Sequence, residues 1–238
     1  MTTPNPATAA LRDSTPIALG YFTVSLAFGL YCARLDVPTA LAGLISFTNL
    51  SSSGQFAGLT IIGAGGSHLE LAIGVALVNL RYVLMAISLG QRLGPQVGTA
   101  QRLLLAAGIT DEIYALGMGR RQVGFADYAA SMVLPIIGWT SGTIVGAAAG
   151  EVLPAPLVSA CGVLLYAMFV AIVVPAAVGS RQVLVVALGA AGLSSLLASI
   201  GGLDVGWRII IVTIVISAAA ATWLPTRRAD LDSGVVPS

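Results

Sequence analysis

Three groups of polar residues lie inside long apolar stretches of this 238-residue chain. The first is Asn49-Leu50-Ser51-Ser52-Ser53-Gly54-Gln55-Phe56. Hydroxyls, amides and a glycine within an apolar segment weaken a continuous helix. A break frees N–H and C=O groups that can hold a carboxylate and an ammonium group. A helix restarting near Ser53 or Gly54 would aim N–H donors at an anion. The alternative is that the serines bond back to their own helix, which then stays continuous. The second group is Asn79-Leu80-Arg81-Tyr82. Arg81 is eight residues from the nearer end of its apolar run and twelve from the other, too deep to snorkel easily. An intramembrane Arg faces protein or a water-filled cavity and has a partner. Arg81 is therefore either a clamp for a substrate carboxylate or the partner of Asp111 or Glu112. The third group is Thr110-Asp111-Glu112. A buried carboxylate there can take up and release a coupling proton; in the plainer reading both are loop residues at the membrane surface.

These groups need elements to position them, and composition says which kind. The chain is 57% hydrophobic and 9% charged, with mean hydropathy +0.94. A soluble domain carries about 25% charged residues. An ordinary water-facing enzyme, a nucleic-acid binder and a disordered chain are thereby excluded. What remains is an all-α, polytopic membrane protein. At roughly 20 residues per span there is room for seven or eight transmembrane helices, one or more of them discontinuous. The apolar runs do not alternate, which argues against barrel strands. They cover 16–33, 40–64, 69–89, 103–118, 128–149, 157–178, 183–200 and 207–224. Pro16 suits a first helical turn, and Pro135 and Pro175 are candidate kinks. Gly138, Gly142, Gly146 and Gly150 mark one face of a helix, where a neighbour can approach closely. Trp207 and Trp223 bracket the last run as interfacial anchors do.

The organisation expected is a polar tail over 1–14, a transmembrane domain over 15–225 and a second tail over 226–238. The first tail lacks the basic-then-apolar pattern of a cleaved signal peptide, so the first run is expected to stay as an anchor. No internal repeat is evident from the residues alone. The crossing count turns on 103–118, because Asp111 or Glu112 at a helix centre costs about 2.5 to 3.5 kcal/mol each. All 11 basic residues are Arg. With eight crossings, Arg12, Arg120, Arg121, Arg181, Arg227 and Arg228 share one side, and Arg34, Arg92, Arg102 and Arg208 the other. If the Asp111 segment enters without crossing, only Arg12 and Arg208 oppose the rest. That favours seven crossings with a cytoplasmic C-terminus.

Other chemistry is poorly supplied. Cys32 and Cys161 are far apart in apolar runs and read as inert thiols. His68 lies at a loop edge. An intramembrane serine protease would need a Gly-x-Ser-Gly motif, and position 51 is Ser. There is no P-loop, dinucleotide fingerprint or metal-ligand spacing, so no enzyme activity, cofactor or metal is expected.

The chain resembles the AzlC family, the large subunits of two-component branched-chain amino-acid exporters. The resemblance rests on Pro16 with Phe28-Gly29, on Ser53-Gly54-Gln55-Phe56-Ala57, on Asn79-Leu80-Arg81-Tyr82 with Ser88-Leu89, and on Thr110-Asp111-Glu112. It covers about residues 14 to 225. The family commonly has His after the Arg, where this chain has Tyr82. The resemblance implies export of Val, Leu, Ile and in some members Met across the bacterial inner membrane. It also implies coupling to the proton-motive force and a small AzlD-type membrane subunit as partner. The expected substrate-binding set is Asn49, Ser53, Gly54, Gln55, Phe56, Asn79 and Arg81, with Asp111 and Glu112 for the proton. Arg81 and N–H groups near Gly54 would hold the carboxylate, Asn49, Asn79 or Gln55 the ammonium group, and Phe56 and Leu59 the aliphatic side chain. A channel, a scaffold subunit and, less favoured, an intramembrane enzyme are the competing classes.

Overall fold

The computed structural model describes residues 6–120, 123–152, 170, 173–174 and 177–223. The described residues form nine helices and no strand. They are α1 (Pro6–Arg34), α2 (Thr39–Thr48), α3 (Ser52–Gly63), α4 (His68–Arg92), α5 (Thr99–Ala107), α6 (Asp111–Met118), α7 (Phe125–Val152), α8 (Arg181–Ile200) and α9 (Val205–Trp223). Five of these, α1, α4, α7, α8 and α9, are long and apolar enough to cross a membrane. Most of the expected run over 157–178, with Cys161, Pro175, Arg121 and the tail after 225, lies outside the described residues.

α1 begins earlier than expected. Helix starts at Pro6, and Ala10 and Ser14 are fully buried, so part of the expected tail is packed structure. Pro16 therefore sits inside the helix, not in its first turn. Pro135 likewise lies within an unbroken α7.

α1 and α7 form the most extensive helix pair, and they run parallel. Gly138 faces Ala18, Gly142 faces Phe22, Gly146 faces Leu26 and Gly150 faces Ala33. A Cβ on any of the first three would collide with a backbone carbonyl of α1. Gly29 of α1 packs in the same way against the backbone of Thr143 to Ala147. The four-residue glycine spacing is thus a contact stripe, as small residues are in membrane helix pairs. This pair gives the molecule an axis. We term the end where α1 starts proximal and the end where it finishes distal.

The run over 40–64 is two short helices, not one span. α2 enters from the distal end and runs antiparallel to α7. Thr39 donates to Glu151 (2.5 Å), and deeper in, Ser46 pairs with Thr143 (2.7 Å). Helix stops at Asn49, and α3 restarts after Ser51, whose hydroxyl accepts from the Gly54 N–H (3.2 Å). Ser51 therefore caps α3 instead of bonding back. Gln55 then turns its amide onto the carbonyls of Ile45 (3.3 Å) and Asn49, adding a second donor to each beside the backbone N–H groups of Asn49 and Ser51. α3 returns to the distal end, where Gly63 meets Leu35.

The run over 103–118 repeats the plan from the other end. Arg102 near the start of α5 donates to the carbonyls of Gly90 (2.7 Å) and Val97 (3.0 Å) at the proximal end. α5 rises to Gly108, beside Met132 of α7. Thr110 then caps α6, which descends past Ser88, held by Tyr114 (2.8 Å), to Arg120, paired with Asp13 (3.2 Å). Leu93 before α5 and Val123 after α6 form a parallel bridge, so this hairpin also begins and ends on one side.

α4 runs from the distal to the proximal end, antiparallel to α3. Its partner α9 starts beside Glu70, which accepts from the Trp207 N–H (3.3 Å). α8 packs antiparallel on α9, with Gly189 against Ile216. No residue of α8 is buried, and Val185, Leu188 and Leu196 lie outside. An apolar exterior on long helices is what a hydrocarbon solvent requires.

Candidate functional site

The two hairpin tips, Asn49–Ser51 and Gly108–Thr110, meet near mid-depth of α1, α4 and α7. Each tip is the start of a helix, α3 or α6, so two N-terminal turns with their partial positive charge converge on one region. Asp111 and Glu112 occupy the first turn of α6, where negative charge is favoured.

Arg81 of α4 links the tips. One guanidinium nitrogen lies 2.8 Å from Asp111 Oδ2, and the other donates to Ser53 Oγ (3.0 Å) and to the Tyr82 hydroxyl (3.1 Å). Its charge also lies 5.0 Å from the centre of the Tyr82 ring. Of the two roles open to Arg81, the structure shows the ion pair, and with Asp111 rather than Glu112. Both partners keep 43% of their side-chain surface exposed. The pair is therefore reachable rather than sealed, and is worth far less than a dry ion pair.

Two residues that sequence reasoning passed over complete the site. Tyr21 of α1 places its hydroxyl 2.7 Å from Thr110 Oγ1 and 2.5 Å from Glu112 Oε2. Trp139 of α7 packs edge-on against Tyr21 (5.6 Å) and donates its indole N–H to Gln55 Oε1 (3.0 Å). A tyrosine within a first span and a tryptophan within a glycine-rich run carry no local signal; only the glycine stripe that joins α1 to α7 brings them together.

The expected set divides accordingly. Ser53, Arg81, Asp111 and Glu112 meet at the tips. Asn79 holds the first tip, accepting from the Ser51 hydroxyl (2.6 Å), and its amide lies flat against Gly54. A Cβ on Gly54 would lie 2.7 Å from the Asn79 amide nitrogen, so glycine is needed there for close approach. Gln55 is buried with both ends of its amide engaged. Phe56 is buried against Phe28 (5.3 Å) and Tyr31 (6.5 Å). These two build the first hairpin.

Three cavities surround the tips. The central one, about 30 Å³, is lined by Tyr21, Leu50, Ser52, Tyr82, Asp111 and Trp139 among others. That is room for about one water molecule. Toward the distal end a pocket of about 470 Å³ lies between α2, α3 and α4, lined by Asn49, Gly54, Gln55, Leu59, Val75 and Ala76. Toward the proximal end a pocket of about 430 Å³ lies along Pro16, Gly20, Tyr21 and Val24 and reaches Ser52 and Glu112. Among the described residues no group of His, Cys, Asp and Glu is arranged to hold a metal ion.

The chain is 28% identical over 145 residues to Inner membrane protein YgaZ of Escherichia coli (strain K12), covering 59% of each chain. It is 29% identical over 151 residues to an Uncharacterized membrane protein of Helicobacter pylori (strain J99 / ATCC 700824), covering 60% of this chain and 65% of that one. It thus spans about three fifths of the length of these curated relatives. No solved structure matches it. The family model described as AzlC protein matches residues 16–153, the stretch holding both hairpins, Arg81 and the α1–α7 pair, and on that match this membrane-embedded chain belongs to the AzlC family.

Proposed function

We propose that this chain is a secondary transporter that exports branched-chain amino acids (Val, Leu and Ile, with Met as a further cargo), coupled to protons, from the bacterial inner membrane. It does so with a small AzlD-type membrane subunit. The observation that carries the reading is the meeting of two helix N-termini, Arg81 and two carboxylates between hairpin tips in a membrane-embedded chain. A zwitterion needs both signs of charge within one site. Arg81 and the first turn of α3 suit its carboxylate, and Asp111 with Glu112 suits its ammonium group. In this reading the substrate exchanges for the Arg81–Asp111 pair, and the carboxylate released from Arg81 takes the proton. The apolar walls at Leu59 and Val75 suit an aliphatic side chain.

The packing supports one membrane topology. The two hairpins enter from opposite faces and return. In this reading α1, α4, α7, α8 and α9 cross. Parallel α1 and α7 favour two returning hairpins over a reading in which only the Asp111 segment is re-entrant. Arg12, Arg92, Arg102, Arg120 and Arg181 then lie proximally, against Arg34 and Arg208 distally. This charge bias among the described residues supports a cytoplasmic proximal end.

The test is efflux of labelled valine from preloaded cells, with and without the small subunit and with a protonophore. Saturable efflux that needs both chains, collapses with the protonophore and is lost in Arg81→Ala is expected. Unsaturable flux without proton dependence would make the chain a channel instead. Full efflux by Arg81→Ala at normal expression would overturn the clamp.

A further inference from the structure

We propose that α1–α3 and α4–α6 form an inverted repeat, and that Tyr21 and Asn79 are its two equivalent latches, each closing the central cavity from one side of the membrane. The inference rests on the transporter reading for its meaning, but not for its test.

The repeat is geometric first. Each unit is a long helix followed by a hairpin of two short helices. α1 runs proximal to distal and its hairpin enters distally; α4 runs the opposite way and its hairpin enters proximally. The equivalences hold a nearly constant offset. Thr39 and Thr99 start the first short helices, Ser51 and Thr110 cap the second, and Gly58 and Gly117 follow seven residues after each cap. Tyr21 and Asn79 lie 30 and 31 residues before the caps of their own units, Ser51 and Thr110. Little residue identity survives, which is why the sequence alone shows no repeat.

The latches are exchanged between units. Tyr21, on the long helix of the first unit, reaches the cap of the second hairpin, Thr110 (2.7 Å). Asn79, on the long helix of the second, accepts from the cap of the first, Ser51 (2.6 Å). Each bond therefore ties a hairpin tip to the opposite unit. Tyr21 separates the central cavity from the proximal pocket, which it also lines. Asn79 lies against Gly54 and holds Ser51, and Gly54 lines the distal pocket. With both bonds made the central cavity is narrow, about 30 Å³, while Asp111 on its wall stays 43% exposed, so the bonds restrict access without sealing it. Inverted repeats in transporters open by moving one unit against the other around a fixed site. Here one bond would break for each face.

The experiment reads access, not transport. In a chain with Cys32→Ala and Cys161→Ala, a reporter cysteine is placed at Leu50→Cys, which lines the central cavity alone of the three. A second reporter, Tyr82→Cys, which lines the same cavity and neither outer pocket, covers the case of poor folding of the first. Labelling by a membrane-impermeant maleimide is measured in vesicles of both orientations. Tyr21→Phe is expected to raise labelling from the proximal face about tenfold, the equivalent of one hydrogen bond, and to leave the distal face unchanged. Asn79→Ala is expected to do the reverse. Asn79→Asp keeps the acceptor for Ser51 and should restore the parent rate. The proposal fails if both variants open the same face, or if neither changes labelling while the protein remains monodisperse. Side-specific labelling in a chain that moves no amino acid would leave the latches standing and refute the transporter reading; efflux without side-specific labelling would do the opposite.

Discussion

Gly142→Ala tests the packing on which the whole site depends. A methyl at position 142 would enter the backbone carbonyl of Phe22 and the Ser25 hydroxyl. Neither is the free end of a flexible side chain, because Ser25 is fully buried and bonded to the Phe22 carbonyl (3.1 Å). Ordinary carbon–oxygen contact is then reached only if α1 and α7 part by on the order of 1 Å, and a gap of 0.5–1 Å forfeits a quarter to a half of each dispersion contact along the seam. Overpacking costs about 1–3 kcal/mol, and with backbone as the obstacle the upper end, about 3 kcal/mol, applies. At about 2–4 °C per kcal/mol for a chain of this size, the apparent Tm should fall by roughly 6–12 °C. The assay is thermal unfolding of the purified protein in detergent, followed by the fluorescence of Trp139 and its neighbours. Gly20→Ala is the control: it lies on the same α1 with nothing within 4 Å of a new Cβ. It should match or slightly exceed the parent, since alanine favours helix. Equal Tm values for Gly142→Ala and Gly20→Ala would refute the argument that glycine is required at the seam.

Three further outcomes are expected. Gln55→Leu strips the acceptor from the Trp139 indole and the donor from the Ile45 and Asn49 carbonyls; it should cost about 1–3 kcal/mol, seen as a lower Tm and a blunted Trp fluorescence transition. Thr110→Ala removes the cap of α6 and should cost about 1 kcal/mol by the same assay, whereas Thr110→Ser should recover most of it. Arg102→Gln unties α5 from the carbonyls of Gly90, Leu93, Gly94 and Val97; limited proteolysis should then cut between α4 and α5 several-fold faster, and an unchanged cleavage rate would show that these bonds do not hold the connection.

Much of the site was legible because polar groups in an apolar sequence have few innocent explanations. Arg81 at depth demanded a partner, and Asp111 is that partner. The clustered serines and Gly54 marked an interrupted helix, and the interruption falls at Asn49–Ser51. The glycines at 138, 142, 146 and 150 announced a close helix contact from their spacing alone. Direction was not legible. Periodicity reports which residues share a face, but a two-helix hairpin and one broken span have the same apolar pattern. Only the return of Gly63 to Leu35, and the bridge of Leu93 with Val123, show that each chain segment turns back. Tyr21 and Trp139 were equally hidden, because their roles come from α1 and α7 lying parallel, a relation between segments about 120 residues apart. By itself the sequence determined the solvent, the helical class and the polar residues that must find partners, since those follow from transfer free energies of single side chains. The tertiary structure decided which partners, from which face, and around what cavity, because those depend on the direction of each helix relative to the others.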